Sequence, residues 1–284
     1  MERSHNMPNN NYIVSAANSR YYKNFCQLMH SFNKLKEYQN SRVILYDLGL
    51  SESEAEIIQN KEIALFEYVE YRKFKFEEYP EFVRPQFNTY SWKPIIIHTV
   101  AKEIKASFLW MDSANCILKN LNPIWSEIES TYSYAPISGS GTLKDWTVQE
   151  TLDYLNVPKK FYNQPNRAGN TFGFFSGSEA IMRLLDRWES FALIKECIRP
   201  EGANRSNHRD DQSLLTILLL ESQSSKELNL TRDRVNISAS LPTPYISVRN
   251  IFPKWINLKV GEVAHYYFFW LRFLDMLINK LKGN

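Results

Sequence analysis

The sequence predicts an α/β fold with an open, mainly parallel sheet flanked by helices in a single domain. Short apolar runs that end on small or acidic residues alternate with segments of helical spacing, and this βαβα order favours a parallel sheet. With 284 residues, 44% of them hydrophobic and 14% aromatic, the chain can fill one large core. Two of the apolar runs are followed by an aspartate, and in open α/β sheets ligands gather at the carboxyl ends of strands.

The first two strand and helix pairs begin near the N-terminus. Residues 12–17 form an apolar run that closes on small residues, and helical spacing of apolar side chains continues as far as Phe32. Residues 42–47 predict a second strand that ends on an aspartate. Ser51 and Glu54 then have the spacing of a capping box, which predicts the start of the next helix.

The later elements are predicted from the same patterns. Pro94 suits the first turn of a helix, and the apolar run 108–111 predicts a strand that ends just before Asp112. Gly139 and Gly141 predict a flexible segment. Further strands are predicted at 64–69, 133–137 and 170–176, and further helices at 147–155, 178–197 and 214–220.

The charge balance argues against a general polyanion-binding protein. The chain has 34 basic and 31 acidic residues and a formal net charge of +3, so it lacks the excess of cations that phosphate neutralisation requires. We therefore expect no nucleic-acid partner, and any basic site must be local.

Cysteine usage and the N-terminus favour a reducing compartment. Cys26, Cys116 and Cys197 lack the spacing of a zinc site or a disulfide framework, which predicts reduced, buried thiols. Residues 1–11 are polar and carry no apolar signal sequence, and no segment is long and apolar enough to span a bilayer. These features predict a disordered N-terminus and a cytoplasmic or peripherally membrane-associated protein.

The C-terminal segment 266–284 has the pattern of an amphipathic helix. It combines many aromatic and aliphatic residues with a few basic ones, a composition that can lie on a membrane surface. Docking on the protein's own core or on a partner subunit is the more common use of such a helix. Peripheral membrane contact is therefore one of two expectations, and the oligomeric state is not predicted.

The stretch from His208 to Leu215 carries the strongest chemical signal. It places Asp210, Asp211 and Gln212 directly before an apolar run of helical character. Acidic residues in this position either accept backbone N–H groups as a cap and first turn, or present carboxylates for chemistry. Asp112 also ends a predicted strand, where ligands of open α/β sheets gather, and this second signal favours a chemical role. We therefore expect Asp112 and Asp211 to converge on one cleft.

Four stretches, taken together, carry a family resemblance. They are SAANSRYYKNFCQLMHSF, RVILYDLGLSESE, YSWKPIIIHTVAKEIKASFLWMDSAN and NHRDDQSLLTILLLE. In this combination the chain resembles a GT-A-like glycosyltransferase-related domain family of unknown function, found in nematodes and other eukaryotes with relatives in viruses and bacteria. The resemblance implies one GT-A-like domain over residues 12–265 that binds a nucleotide-sugar, UDP- or GDP-linked, and moves its sugar to an acceptor hydroxyl.

The resemblance implies a set of donor-binding positions. The loop after the first strand would surround the base or ribose, and a lysine in a Trp-Lys-Pro motif would neutralise donor phosphate as a point charge. Ordinary turn chemistry or a solvated lysine explains several of the same residues equally well. The implied donor-binding residues are Ser15, Ala16, Asn18, Asp47, Lys93, Asp112, Ser113, Asn170, Thr171 and Gly173. Residues 170–173, which include Phe172, resemble the strand that floors the sugar pocket in GT-A folds, where Gly173 would allow close backbone approach.

A divalent metal is implied at Asp112, the first acidic position of a DxD-like motif. Oxygen ligands of this kind suit magnesium or manganese, which would bridge the diphosphate of the donor. The third position is Ala114, so the second carboxylate is missing and metal dependence stays open. His265 is the implied second ligand, although a lone histidine beside aromatic residues is more often part of a core.

The acceptor side is assigned to the acidic stretch. Asp211 matches the motif better than Asp210, and either would take the proton of the acceptor hydroxyl in an inverting transfer or stabilise the reacting sugar in a retaining one. Gln212 would orient the donor sugar. We therefore expect a nucleotide-sugar-dependent glycosyltransferase acting on a glycan, glycolipid or protein-linked acceptor; the alternative is a non-catalytic nucleotide- or glycan-binding module with a degenerate GT-A fold.

Overall fold

The computed structural model describes residues 11–233 and 244–247 of the chain. Residues 1–10, the implied metal ligand His265 and the predicted helix 266–284 lie outside the described residues. The disordered N-terminus, the metal role of His265 and the membrane contact of the C-terminal helix therefore stay predictions.

A mixed six-stranded sheet forms the centre of the molecule, in the order β3-β2-β1-β4-β9-β6. The four strands from β3 to β4 are parallel to one another, while β9 runs antiparallel to both of its neighbours. The open, mainly parallel sheet predicted from the sequence is thus confirmed. The strands are β1 (Asn11–Ala17), β2 (Ser41–Asp47), β3 (Val69–Lys73), β4 (Ser107–Met111), β6 (Ser133–Tyr134) and β9 (Thr171–Phe175).

Helices cover both faces of this sheet, as the alternating side chains of buried strands require. Helices α1 and α4 share a hydrophobic cluster with Ile13, Val43 and Leu109, while α3, α6 and α8 pack with Val14 and Trp110 on the other face. The helices are α1 (Tyr22–Lys34), α2 (Glu52–Gln59), α3 (Trp92–Ile104), α4 (Asn122–Thr131), α5 (Gln149–Tyr154), α6 (Glu179–Ala192), α7 (Lys195–Ile198) and α8 (Asp210–Ser224).

Two small antiparallel pairs complete the described structure. Strand β5 (Asn115–Ile117) pairs with β10 (Tyr245–Ser247), and β7 (Ile137–Thr142) pairs with β8 (Pro165–Arg167). The pairing of β7 corrects the prediction of a flexible segment at Gly139 and Gly141, because both glycines lie within that strand.

Local sequence signals explain several boundaries. Ser51 accepts the backbone N–H of Glu54, whose side chain accepts the backbone N–H of Ser51, so the predicted capping box starts α2. The third strand was misplaced: residues 64–66 form a 3-10 turn and β3 begins at Val69. Polar residues alternate along β3, as suits a strand at the edge of a sheet. The strand therefore contains no continuous apolar run from which it could be predicted.

The predicted helix at 178–197 is divided into α6 and α7. Helix α6 ends at Ala192, and Ile194 takes an extended conformation before α7 begins. Cys197 and Ile198 are buried by this break. Tertiary packing therefore ends a helix that the apolar periodicity alone would have continued.

Among the described residues, no helix has both the length and the apolar character needed to cross a membrane.

Candidate functional site

Lys93 is the centre of the candidate site. It lies in the first turn of α3 and its side chain is only 5% exposed. Its Nζ atom lies 3.0 Å from Oδ2 of Asp211 and 3.4 Å from Oδ1 of Asp112, and it donates a hydrogen bond of 2.9 Å to the carbonyl of Gly169. One ammonium group therefore joins three parts of the chain that are far apart in sequence.

The two aspartates reach Lys93 from different elements. Asp112 directly follows β4, and Asp211 lies in the first turn of α8. The side chain of Asp112 is 38% exposed, whereas that of Asp211 is 7% exposed. The cluster thus has a solvent-facing carboxylate at its mouth and a buried carboxylate behind it.

Burial and charge act in opposite directions on this cluster. Burial raises the pKa of Asp211, and the neighbouring Lys93 ammonium limits that rise. Burial also disfavours the charged form of Lys93, but the two carboxylates outweigh it and raise the pKa of the lysine. With all three groups charged, the cluster carries one net negative charge.

Aromatic rings enclose the lysine. The Nζ atom of Lys93 lies 5.3 Å from the ring centre of Trp110, 5.7 Å from that of Tyr90 and 5.9 Å from that of Trp92, within cation–π range. Trp110 also donates its indole N–H to Oδ1 of Asp112 at 2.7 Å. Trp92 was expected beside the site as part of the Trp-Lys-Pro motif, whereas Tyr90 and Trp110 were not predicted. The FLWMD segment, which contains Trp110, was the available signal.

Asp210 has a structural partner of its own. Arg199 donates two hydrogen bonds to its carboxylate, at 2.7 and 2.5 Å, in a bidentate ion pair. Burial raises the pKa of Asp210 to about 6, against the lowering effect of Arg199. Because both oxygens are bound, Asp211 is the better candidate for chemistry, as the motif match had indicated. Arg199 was not predicted from the sequence.

The acidic residues at the start of α8 do not cap it. The residue at the N-cap position is Arg209, and no side chain forms a cap hydrogen bond there. Asp210 takes a φ of +40°, a left-handed conformation that is strained for a residue with a side chain. Tyr90 is strained in the same way with a φ of +55°. Instead of capping the helix, the two carboxylates form ion pairs with Arg199 and Lys93.

Gln212 is fixed to the strand that ends beside the site. Its Nε2 atom donates to the carbonyl of Arg167 at 2.6 Å. A Cβ atom on Gly169 would lie 3.0 Å from Cβ of Gln212, so the glycine permits this close approach. Since the carbonyl of Gly169 also binds Lys93, the turn after β8 links Gln212 to the lysine cluster.

The loop after Asp112 is held against β9. The backbone N–H of Asp112 donates to the carbonyl of Asn170 at 2.9 Å. Asn115, which the sequence analysis missed, donates from its side chain to that same carbonyl and to Oγ1 of Thr171. Ser113 is buried beside them. Asn170, Thr171 and Ser113 thus lie next to Asp112, where their proposed donor contact would require them.

Gly173 occupies a different environment from the sugar pocket that was expected. It lies in the middle of β9, where an added Cβ atom would come within 2.5 Å of Ile128 Cδ1 and 2.6 Å of the Phe108 carbonyl. The glycine thus allows α4 to pack against the sheet, and we do not include it in the candidate site.

The first loop presents a second group of predicted residues. Ser15 and Ala16 are buried in β1, and Asn18 follows that strand. Oγ of Ser15 and Oδ1 of Asn18 are buried with no hydrogen-bond partner among the described residues. These are the only two predicted donor-binding side chains in the described part of the chain with such orphaned atoms, which a ligand could satisfy.

Both carboxylate oxygens of Asp47 already accept hydrogen bonds from within the protein. Its Oδ1 atom accepts the backbone N–H groups of Gly49 and Leu50, at 2.7 and 2.6 Å, and its Oδ2 atom accepts the hydroxyl of Tyr71 at 2.6 Å. This is the turn chemistry that the sequence also allowed. A nucleotide contact of Asp47 stays a prediction without support from its partners.

The described residues do not by themselves fit a divalent cation. No group of three or more His, Cys, Asp or Glu side chains with suitable geometry occurs within residues 11–233 and 244–247. Asp112 shares its Oδ1 atom with Trp110 and Lys93, and Asp211 is paired with Lys93. Metal binding by Asp112 with His265 stays a prediction.

Comparison with known proteins gives a family match for the first part of the chain. Residues 1–98 match the model of DUF1647, described as a protein of unknown function. This match ends within α3 and includes Lys93 but neither Asp112 nor Asp211. A search of curated proteins found no match.

Solved structures with a similar fold include several glycosyltransferases. The galactosyltransferase LgtC, in complex with donor and acceptor sugar analogues, is 14% identical with a TM-score of 0.49 over 73% of this chain and 70% of LgtC. Core-mannan synthase A from Aspergillus fumigatus, in a form with manganese and GDP, is 9% identical with a TM-score of 0.48 over 77% of this chain and 71% of its own. Mouse xyloside xylosyltransferase 1 is 10% identical with a TM-score of 0.46 over 79% of this chain and 84% of its own. At these values the likeness carries no information on substrate or mechanism.

Proposed function

We propose that this protein is a glycosyltransferase that binds a nucleotide-sugar, UDP- or GDP-linked, and transfers its sugar to the hydroxyl of an acceptor. One observation carries the proposal: Lys93 holds Asp112 and Asp211, from three separate elements, in one cluster at the carboxyl edge of the sheet. Ligands of open α/β sheets bind at that edge.

Asp112 is proposed to face the donor. Its partly exposed carboxylate lies beside the strand-end residues Ser113, Asn170 and Thr171. The orphaned polar atoms of Ser15 and Asn18 would bind the nucleoside part. Lys93 has three protein oxygens as partners, so its proposed role is to position the two carboxylates rather than to bind phosphate directly.

Asp211 is proposed to act on the acceptor. A carboxylate with a raised pKa is a better base, and the ammonium of Lys93 favours the ionised form of Asp211 against the effect of burial. In an inverting transfer it would accept the proton of the acceptor hydroxyl, and in a retaining transfer it would stabilise the positive charge that develops on the sugar. Gln212, anchored through Arg167, would orient the sugar between them.

Asp112 and His265 are the proposed ligands should a magnesium or manganese ion be bound, and the ion would neutralise the diphosphate leaving group. None of the roles given above to Lys93, Asp211 or Gln212 depends on that ion.

A non-catalytic nucleotide-binding module is the second candidate. It is favoured by the missing carboxylate at Ala114 and by the pairing of both aspartates with one lysine. Such a module would bind nucleotide-sugars without turning them over.

Hydrolysis of nucleotide-sugars tests the proposal. A panel of UDP- and GDP-sugars is incubated with the protein, with and without manganese, and release of the nucleotide is measured. We expect the active donor to be hydrolysed, and Asp112→Asn and Asp211→Asn to lower the rate by a hundredfold or more, on the order expected for loss of a catalytic group.

Asp186→Asn is the matched control, because Asp186 is exposed on α6 away from the cluster. Its rate should equal that of the wild type, and circular dichroism should show all three variants folded. Full turnover in folded Asp112→Asn and Asp211→Asn would contradict the proposal. Tight nucleotide binding without turnover would favour the non-catalytic module.

A further inference from the structure

Two arginines beside the candidate site form no ion pair in the described part of the chain. Arg205 and Arg209 lie in the loop between α7 and α8, and neither has a carboxylate oxygen within 4.0 Å in the described part of the chain. The neighbouring carboxylates of Asp210 and Asp211 are paired instead with Arg199 and Lys93. The two arginines therefore make no direct carboxylate contact in the described residues, and Asp210 attracts both of them only at longer range.

Arg205 is held in place by an aromatic side chain of the site. Its guanidinium hydrogen-bonds the hydroxyl of Tyr90 and lies 5.5 Å from the centre of the Tyr90 ring. Lys93 lies 5.7 Å from the same ring centre. The tyrosine thus connects the exposed Arg205 directly to the lysine cluster.

Arg209 is held even more firmly. Its guanidinium carbon lies 3.6 Å from the centre of the Trp146 ring, a stacking distance. Its Nη1 atom also donates to the carbonyls of Arg205 and His208. The side chain is therefore oriented before any ligand arrives, which lowers the entropy cost of binding.

The two guanidinium groups disfavour each other. Burial lowers the pKa of Arg209, the nearby charge of Arg205 lowers it further, and the carboxylate of Asp210 only partly opposes both effects. An anion between or beside them would remove this repulsion and form charge-assisted hydrogen bonds. Planar, bidentate recognition of a carboxylate or sulfate is the chemistry that arginine performs best.

The position of the pair indicates which substrate it would bind. Arg209 precedes Asp210 and Asp211 in sequence, on the α8 side of the cluster that we assign to the acceptor. The donor side is formed by Asp112, Ser15 and Asn18 on other elements. An anionic group held by the pair would therefore belong to the acceptor.

We propose that the acceptor is an anionic oligosaccharide, whose carboxylate or sulfate group is bound by Arg205 and Arg209 while its reacting hydroxyl lies at Asp211. This inference rests on the proposed function for the identity of the acceptor, and on the arginine pair for its charge. In the transfer, the bond between the anomeric carbon of the donor sugar and the diphosphate oxygen breaks, and a bond to the acceptor hydroxyl oxygen forms. The hydroxyl proton passes to Asp211 or to the nucleoside diphosphate, which is the leaving group.

Direct binding tests the inference without any need for turnover. Fluorescently labelled tetrasaccharides of hyaluronan, of chondroitin sulfate and of chitin are titrated with the full chain. The first carries only carboxylates, the second carries carboxylates and sulfates, and the third is neutral. We expect at least one anionic tetrasaccharide to bind about tenfold or more tightly than the neutral one, as charge-assisted contacts predict. Whichever of the two anionic tetrasaccharides binds more tightly indicates whether carboxylate or sulfate is the preferred group.

Variants then locate the binding. We expect Arg205→Gln with Arg209→Gln to weaken anionic binding about tenfold or more, and Arg205→Gln alone, at an exposed position, to weaken it measurably without affecting folding. The matched control is Lys159→Gln with Lys160→Gln. These lysines are exposed, and Lys160 contacts Ser224 at the far end of α8, roughly 20 Å from its start at 1.5 Å per residue. The control should bind as the wild type does.

The inference would be overturned by equal binding of the neutral tetrasaccharide, by an equal loss in the lysine control, or by arginine variants that lose donor binding but keep tetrasaccharide binding. Its failure is distinct from that of the proposed function. If wild-type protein hydrolyses a nucleotide-sugar but binds neutral and anionic tetrasaccharides alike, only the inference fails. If anionic binding depends on the arginines but no donor is bound or hydrolysed, the glycosyltransferase proposal fails.

Discussion

At the scale of single residues, the site depends on one lysine between two carboxylates. The sequence pointed to all three, because Asp112 ends an apolar strand, Lys93 belongs to a WKP motif and Asp211 precedes an apolar helix. It could not show that Lys93 binds the aspartates rather than phosphate, since that depends on which side chains meet in the folded chain. The same reason explains why Arg199, Tyr90 and Trp110 were not predicted.

Removing the lysine charge should destabilise the protein. In Lys93→Met, Asp211 would stay buried without its counter-charge, and we expect the free energy of unfolding to fall by about 3–5 kcal/mol, the usual effect of breaking a buried ion pair. Urea denaturation measures this. Adding Asp211→Asn to Lys93→Met should recover part of the loss, and unchanged stability of the single variant would show that the pair is not formed.

At the scale of secondary-structure elements, the start of α8 determines how the site is presented. The sequence placed the helix correctly but left open whether its aspartates cap it. The structure shows Arg209 at the N-cap, Asp210 in a left-handed conformation and both carboxylates in ion pairs. Element ends decided by packing, as between α6 and α7, were not predictable from periodicity.

His208, just before α8, should make stability depend on pH. Its Nε2–H donates to the carbonyl of Ile198 at 2.7 Å, and burial lowers its pKa from 6.5 to about 4. The unfolded chain therefore binds the proton more readily, and stability is lost as the pH falls through this window, by about 3 kcal/mol in total.

Comparison with His208→Gln isolates this contribution. The raised pKa of Asp210, about 6, has the opposite effect below pH 6, because protonation then favours the folded state. Subtracting the urea-unfolding free energies of the variant from those of the wild type, at pH 7.5 and pH 4.5, removes the Asp210 effect. An identical pH dependence in both proteins would contradict a buried neutral histidine.

At the scale of the whole molecule, the order of the strands brings distant segments together. Strand β4 lies beside β1 within the sheet, so Asp112 and the loop after β1 share one edge, while α3 and α8 pack on the same face and direct Lys93 and Asp211 to it. The sheet and this convergence followed from the pattern of strands and motifs. The packing environment of Gly173 could not be predicted, because its neighbours Ile128 and Phe108 come from elements that only the tertiary fold places beside it.

A crystal structure of the protein soaked with the nucleotide-sugar that it binds most tightly is the most direct test of the site. The account predicts the diphosphate at the carboxyl edge of the sheet beside Asp112, with the sugar between Asp112 and Asp211. A nucleotide-sugar bound elsewhere, with this cluster facing only solvent, would contradict it.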